Sequence, residues 1–297
     1  MGVSPRRPER LRGRVFQGSR VVADGLLTRA ELRSGAWRPL FKDVFVDADV
    51  TVTHRLRCSA AARWLLPSGA VIAGRSAAAL FGAGSVDTAD PLDVLIPAGR
   101  RFGPVAGLTV HTVMLGDDDV RQWNGLAVTT PERTCWDLAQ WLPVEEAVAV
   151  VDCLVRLGLV RPGPLRDRTR GNVGVKGWKR ALRVAELADG GAESPQESRL
   201  RVRLVLAGLP HPVTQFVIER DGRFVARVDL AWPELKVAVE YDGLWHHDPE
   251  QFHRDRQRLN RLLGEDWIVL HLTAKRFHTD FEGFLTELRR ALTSRTR

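Results

Sequence analysis

A carboxylate lies inside an otherwise apolar stretch near the end of this 297-residue chain. Leu235 to Tyr241 reads as a strand, and Glu240 follows the apolar triplet Val237-Ala238-Val239 within it. An unpaired acid in a buried strand is costly, because burial takes its charge out of water. The strand must therefore pack so that this charge is neutralised.

Two further acids are expected beside Glu240. Side chains alternate between the two faces of a strand, so Glu240 and Asp242 share one face. If the preceding strand pairs with this one, its Asp229 reaches the same place, and three carboxylates repel unless a cation lies between them. Mg²⁺ takes oxygen ligands and can activate a water. The alternative is that these acids are ordinary turn residues at strand ends.

Local signals around the acids predict an α/β (α+β) domain over residues 193–297. Ser194-Pro195 has the residues of a helix start, and Asp221-Gly222 those of a two-residue hairpin turn. The predicted order is α, β, β, β, α, β, α. Its elements are a helix to Leu206, strands at Gln215 to Glu219, Arg223 to Ala231 and Leu235 to Tyr241, a helix from Asp248 to Leu263, a strand from Trp267 to Leu272 and a helix from Asp280 to Leu292.

The first two thirds of the chain predict three further parts. Residues 1–90 resemble a degenerate winged helix, with a strand or wing from Leu40 to Val46 and helices near Thr53 to Leu65 and Ser76 to Phe81. Residues 91–160 resemble a small α/β interaction domain, with strands at Leu92 to Ile96, Leu108 to Val113 and Leu126 to Thr129 and helices from Pro131 to Leu142 and from Glu145 to Leu157. Residues 161–192 read as a basic linker followed by a helix from Trp178 to Leu187, since proline and glycine crowd its first half.

Composition indicates a folded chain, with 44% hydrophobic and 27% charged residues. A net charge of +8 favours a polyanionic partner such as nucleic acid. No apolar run approaches the ~18 residues that span a bilayer, so no membrane partner is expected. The basic N-terminus is either an arm that touches phosphates or a frayed end. Cys58, Cys135 and Cys153 are far apart, which predicts reduced core thiols in the cytoplasm.

An aspartate followed some ten residues later by a Glu-x-Lys-like triplet is the pattern of the PD-(D/E)xK nuclease superfamily. The C-terminal third is most similar to Vsr-like domains of the very-short-patch-repair endonuclease type. This resemblance covers about a third of the chain. It rests on SPQESRLR from Ser194, VDLAWPELKVAVEYDG from Val228, the pair His246-His247, FHRDRQRLNRLL from Phe252 and WIVLHLT from Trp267.

The resemblance implies a restriction-endonuclease-like fold and assigns roles to the acids. Asp229 and Glu240 would bind Mg²⁺ or Mn²⁺, and Asp242 stands where the superfamily normally has lysine. His246 or His247 would then serve as general base or transition-state donor, although a histidine pair in a loop is otherwise ordinary surface.

Several other residues each have two alternative roles. Glu197 completes the acidic site in the resemblance, whereas locally Ser194 and Glu197 form a capping box. Asp255 and Arg256 form either a structural ion pair or part of the site. Lys275 and Arg276 either contact phosphates or lie in a solvated loop.

The N-terminal region resembles AbiEi-type antitoxin and regulator proteins. The matching stretches are GLLTRAELRSGAWRPLFKDVFVDADV from Gly25 and TTPERTCWDLA from Thr129. These proteins carry a winged-helix head, so the resemblance implies a DNA contact or a protein partner in this region. Arg133 and Asp137, four residues apart after a proline, predict a pair that stabilises a helix.

The sequence therefore predicts a metal-dependent DNA endonuclease or nickase. The alternatives are a non-enzymatic DNA-binding regulator with a degenerate nuclease fold, and a protein-interaction module.

Overall fold

The computed structural model describes residues 6–84, 86–243 and 266–296. The chain divides into two compact units, Met1–Trp141 and Leu142–Arg297. The first contains two sheets and the second one sheet, each with helices beside it, which confirms the mixed α/β class. None of the helices in the described ranges has the length and apolar character needed to cross a membrane.

The first unit begins with a small antiparallel sheet of order β1-β3-β2. Phe16 and Trp37 pack edge to face in its core, with ring centroids 5.2 Å apart. The elements are β1 (Val15–Gln17), α1 (Gly18–Ala23), a 3-10 turn at Glu31–Arg33, β2 (Trp37–Phe41) and β3 (Val44–Asp47).

The segment from Leu40 to Val46, predicted as a strand or wing, is divided between two antiparallel strands, because the chain reverses within it. Asp43 takes a left-handed conformation, with φ at 63°, and separates β2 from β3. Its carboxylate accepts hydrogen bonds from the backbone N–H and hydroxyl of Ser19, which hold the turn against α1. Alternation of side chains alone did not reveal this turn.

The rest of the first unit surrounds a sheet of order β6-β5-β4-β8-β7. Strands β5, β6 and β8 and the three helices were predicted, whereas the two-residue β4 and the edge strand β7 were not. The elements are α2 (His54–Trp64), β4 (Val71–Ile72), α3 (Gly74–Leu80), β5 (Leu92–Pro97), β6 (Leu108–Val113), β7 (Val120–Trp123), β8 (Leu126–Thr129) and α4 (Pro131–Trp141).

The second unit contains a sheet of order β12-β11-β10-β9. Here β9 pairs antiparallel with β10 and β10 antiparallel with β11, while β12 runs parallel to β11. The elements are α5 (Val144–Arg156), α6 (Pro162–Arg170), α7 (Trp178–Leu187), α8 (Pro195–Leu206), β9 (Val213–Arg220), β10 (Arg223–Trp232), β11 (Val237–Asp242), β12 (Ile268–Thr273), α9 (Ala274–Thr279) and α10 (Phe281–Ser294).

Most predicted elements of the C-terminal third are confirmed, including α8 and α10. The hairpin turn is confirmed as well, since both Asp221 and Gly222 have positive φ. Helix α9 was not predicted. The predicted helix from Asp248 to Leu263 lies outside the described residues.

The linker predicted over residues 161–176 is wrong in its first half. Helix α6 begins at Pro162, where a proline is tolerated because the first helical N–H groups have no partner inside the helix. Leu165 and Thr169, four residues apart, are buried on one face. The prolines therefore start a helix rather than interrupt one.

Helix α4 carries the predicted pair and a third partner. Arg133 Nε lies 2.9 Å from Asp137 Oδ1, which confirms the pairing across one helical turn. Arg133 Nη1 also lies 2.7 Å from Asp119 Oδ2. Burial nevertheless raises the pKa of Asp137 to about 6, although Arg133 acts in the opposite direction.

This raised pKa makes stability depend on pH. The folded state holds the Asp137 proton more tightly than the unfolded chain does, so the contribution is fully present below the ordinary value of 3.8 and is lost as pH rises through about 6. At 1.36 kcal/mol per pKa unit the loss is about 3 kcal/mol. We expect Asp137→Asn to remove this decline in urea unfolding measured from pH ~4 to ~7. Glu132→Gln on the same helix is the control, and an unchanged decline in Asp137→Asn would contradict the assignment.

Gly74 lies where no side chain fits. Its φ is +51°, and a Cβ there would lie 2.5 Å from the Trp141 ring and 2.8 Å from Asp93 Oδ2. The Trp141 ring is itself stacked on His111, with ring centroids 3.6 Å apart. The start of α3 thus requires glycine for both conformation and space.

We expect Gly74→Ala to lower the free energy of unfolding by about 2–4 kcal/mol, from the left-handed backbone and the clash together. Gly25→Ala is the matched control, since Gly25 has φ +67° with nothing within 4 Å of a new Cβ. It should lose only about 1 kcal/mol. Equal losses in denaturant unfolding would show that the clash with Trp141 is relieved at no cost.

Candidate functional site

The register between β10 and β11 places two of the predicted acids opposite each other. Leu230 pairs with Val239 and Ala231 with Ala238, so the next position outward sets Asp229 opposite Glu240. Opposed residues of an antiparallel pair project to the same face. By alternation Asp242 is on this face too, whereas Leu230 and Val239 belong to the core on the other face.

Asp229 is held by two hydrogen bonds that do not depend on its partner acid. Its Oδ2 accepts from the Tyr241 backbone N–H at 2.8 Å, and its Oδ1 accepts from Gln215 Nε2 at 3.2 Å. Glu240, in contrast, is only 9% exposed. The site thus combines an oriented carboxylate at half-buried Asp229 with a buried one on the neighbouring strand.

Glu197 takes part in the cap of its helix as predicted, and its carboxylate shares a hydrogen-bond donor with Asp229. Ser194 Oγ accepts from the Glu197 backbone N–H at 3.2 Å, which confirms the helix cap. The buried carboxylate of Glu197 also accepts at Oε2 from the backbone N–H of Glu193 at 2.9 Å and from Gln215 Nε2 at 2.8 Å. A capping residue therefore also faces the sheet that carries the acids.

Gln215 is one of two residues at this site that the sequence did not predict. Its amide nitrogen donates to both Glu197 and Asp229, and its φ of +48° is unusual for a residue other than glycine. The register explains its place, because β9 sets position 215 opposite position 229. No signal in the sequence marks it, since a glutamine in a strand is ordinary.

A second missed residue lies on β12. The parallel register sets His271 beside Glu240, and His271 Nδ1 is 3.3 Å from Asp242 Oδ2. A carboxylate only accepts hydrogen bonds, so the ring donates at Nδ1. Both side chains are about two-fifths exposed, at 40% and 42%. This pair brings an imidazole to the face that carries the acids.

Lys275 and Arg276, the predicted phosphate contacts, both lie on α9, but their neighbours differ. Lys275 is exposed. Arg276 Nη1 lies 2.8 Å from Glu287 and its Nε 3.3 Å from Asp280. These acids raise the pKa of Arg276, with the Glu287 hydrogen bond the largest cause. A phosphate would have to compete with two carboxylates for this guanidinium, while Lys275 has no such ion pair among the described residues.

The predicted roles of His246, His247, Asp255 and Arg256 fall on positions outside the described residues.

The donor set suits a hard cation in its chemistry. Asp229, Glu240, Asp242 and Glu197 supply carboxylate oxygens, which Mg²⁺ and Mn²⁺ prefer over nitrogen or sulfur. Across residues 6–84, 86–243 and 266–296, however, no three Asp, Glu, His or Cys side chains are arranged as a metal-binding group. The carboxylate oxygens are therefore of the kind that binds such an ion. In this structure Asp229 is held by Gln215 and the Tyr241 N–H, and Glu197 is held by Gln215.

A buried ion pair fixes the helix that carries Glu197. Arg201 on α8 lies 2.8 Å from Asp152 on α5, and each side chain is only 2% exposed. Asp152 also accepts from the Asp189 backbone N–H, and Asp189 accepts from Thr214 on β9. Burial raises the pKa of Asp152 despite Arg201. The pair connects α8 to α5 and, through Asp189, to β9, and it was not predicted.

We expect Arg201→Met to lower the free energy of unfolding by about 3–5 kcal/mol, because it leaves the Asp152 carboxylate buried without its partner. The double variant Arg201→Met with Asp152→Leu should be more stable than that single variant. Arg199→Ala is the control, since its pair with Glu146 is far more exposed and should contribute at most about 1 kcal/mol. A double variant less stable than Arg201→Met in denaturant unfolding would contradict this account.

These observations define an α/β protein whose second unit sets carboxylates from neighbouring strands on one face of a sheet. No protein-family model matches the chain. Two curated relatives, named uncharacterized proteins MT2308 and Rv2248, come from two strains of Mycobacterium tuberculosis, and each is 31% identical over 197 residues. The match covers 66% of this chain and 71% of each relative. The chain belongs to the family of these mycobacterial proteins.

A solved structure is also similar in part. The crystal structure of the RV2827C protein from Mycobacterium tuberculosis matches 67% of this chain and 78% of its own, with 17% identity and a TM-score of 0.41.

Proposed function

We propose that the protein is a Mg²⁺- or Mn²⁺-dependent DNA endonuclease or nickase, which hydrolyses phosphodiester bonds. The observation that carries the proposal is the placement of Asp229 opposite Glu240 on one face of the sheet, with Glu240 only 9% exposed. Carboxylates held together on a sheet repel, and a divalent cation is a common means of neutralising them. We also propose that the second unit has a nuclease-type fold and that residues 1–90 have a winged-helix-like fold.

Asp229 and Glu240 would hold the ion, with Asp242 and Glu197 assisting. When bound, such a metal lowers the pKa of a coordinated water and stabilises charge on the phosphate under attack. The Tyr241 N–H orients one oxygen of Asp229 and Gln215 Nε2 orients the other, and each carboxylate oxygen has a second lone pair with which it could bind a cation. Glu240 would approach from the opposed strand.

The superfamily lysine is replaced here by Asp242, so proton transfer needs another group. Asp242 accepts from His271 Nδ1, which favours the tautomer of that ring with its proton on Nδ1. His271 therefore joins His246 and His247 as a candidate general base. Net positive charge would favour approach of the DNA backbone.

Cleavage of supercoiled plasmid tests the proposal. We expect nicking that requires Mg²⁺ or Mn²⁺, and Glu240→Ala should reduce it by more than the ~100-fold typical of outer-shell changes at metal sites. Binding to the same DNA should stay nearly intact, because Glu240 makes no phosphate contact in this scheme. Glu234→Ala, an exposed acid in the turn before β11, is the matched control. Cutting that survives Glu240→Ala would remove the assignment.

The second candidate is a non-enzymatic DNA-binding regulator. What favours it is Gln215, whose amide donates to both Glu197 and Asp229 and so satisfies two carboxylates without a cation. A regulator would bind one sequence at least ~10³-fold more tightly than random DNA, and would need no metal. Selection from a random duplex library in EDTA separates it from the nuclease. A protein-interaction module would show neither property.

A further inference from the structure

The second unit carries an element far more basic than the rest of its surface. We name residues 161–183 the basic hairpin; it consists of α6, the following glycine-containing loop and the first part of α7. It holds eight Lys and Arg residues and one acid, Asp167. The whole chain has 44 Lys and Arg residues and 36 acids. The 23 residues of the basic hairpin therefore have a formal charge of +7, so overall composition does not explain it.

The basic hairpin is folded and presents its charges from a fixed surface. Leu165 and Thr169 of α6 are buried, as are Ala181 and Val184 of α7. The Thr169 hydroxyl donates to the Leu165 carbonyl at 2.7 Å, which closes the buried face of α6. The backbone positions that carry its exposed cations are therefore fixed, unlike those of a flexible linker. These cations are Arg161, Arg168, Arg170, Lys176, Lys179, Arg180 and Arg183.

The acid within the basic hairpin is Asp167. Asp167 lies 3.9 Å from Arg170 and is itself exposed. Arg166 with Arg170, and Lys179 with Arg183, stand four residues apart on their helices, where like charges repel. Such a surface is stabilised when a polyanion covers it.

The loop between the helices allows close approach. Gly174 and Gly177 have φ of +92° and +86°, and neither they nor their neighbour Gly171 carries a side chain. Val173 and Val175 between them are 64% and 49% exposed. The loop is thus exposed, and a Cβ at Gly174 would meet nothing within 4 Å, so nothing there blocks an approaching strand of nucleic acid.

We propose that the basic hairpin is a sequence-independent binding surface for the phosphate backbone of duplex DNA. Eight cations with one acid match the continuous negative charge of a duplex, and lysine and arginine side chains are the usual phosphate ligands. The choice of DNA rests on the proposed function. The charge complementarity is independent of the acids on β10 and β11.

Fluorescence anisotropy with the full-length protein tests this surface. A labelled random-sequence duplex is titrated in EDTA, so that cleavage plays no part, at several salt concentrations. The variant carries Arg170→Gln, Lys176→Gln and Lys179→Gln. Its matched control carries Arg100→Gln, Arg223→Gln and Arg290→Gln, which removes the same charge from exposed positions elsewhere.

We expect the hairpin variant to bind at least ~10-fold more weakly and to lose about two to three units of the slope of log K against log salt, since each contact contributes about 0.9. The control variant should keep most of its affinity for the duplex and most of the salt dependence of its binding. If the first variant melts early, Arg161→Gln with Arg168→Gln and Arg183→Gln tests the same surface.

Equal binding by the hairpin variant and its control would overturn the proposal. So would preference for phosphatidylserine vesicles over the duplex, since that would make the surface a membrane contact. Binding that depends on the hairpin without any metal-dependent cutting would remove the nuclease assignment alone, so the two failures are distinct.

Discussion

The pairing of β10 with β11 is the constraint on which the second unit depends. Leu230 opposite Val239 directs apolar side chains into the core, and the same register directs Asp229 and Glu240 away from it. A slip of one residue would reverse the faces of one whole strand. The core would then receive a carboxylate and lose a leucine or valine, so burial of the apolar face also determines where the acids meet.

Gln215 connects the face of the sheet that carries the acids to helix α8. Its amide donates to Glu197 on α8 and to Asp229 on β10. The Asp152–Arg201 ion pair holds α8 against α5. A left-handed residue that is not glycine persists only where its surroundings hold it, and such residues are frequent at functional sites. The Gln215 bridge between Glu197 and Asp229 is compatible with a cation site whose carboxylates Gln215 orients and with a scaffold that needs no metal.

Charge is distributed unevenly within the second unit. Carboxylates gather on one face of the sheet, whereas the basic hairpin holds +7 within 23 residues. Nucleases need both kinds of surface, because cations hold the backbone and acids hold the metal. A regulator would need only the basic surface. The two functions therefore differ in what the acids do, and agree on a polyanionic partner.

Much of the fold followed from local signals. The Ser194 cap, the Asp221-Gly222 turn and the spacing of apolar residues in α10 determined their elements, because each depends on residues close in sequence. Tertiary structure alone decided that Gln215 meets Asp229, that His271 meets Asp242, and that Arg201 meets Asp152. These contacts depend on strand register and helix packing between distant segments, which no local pattern of residues encodes.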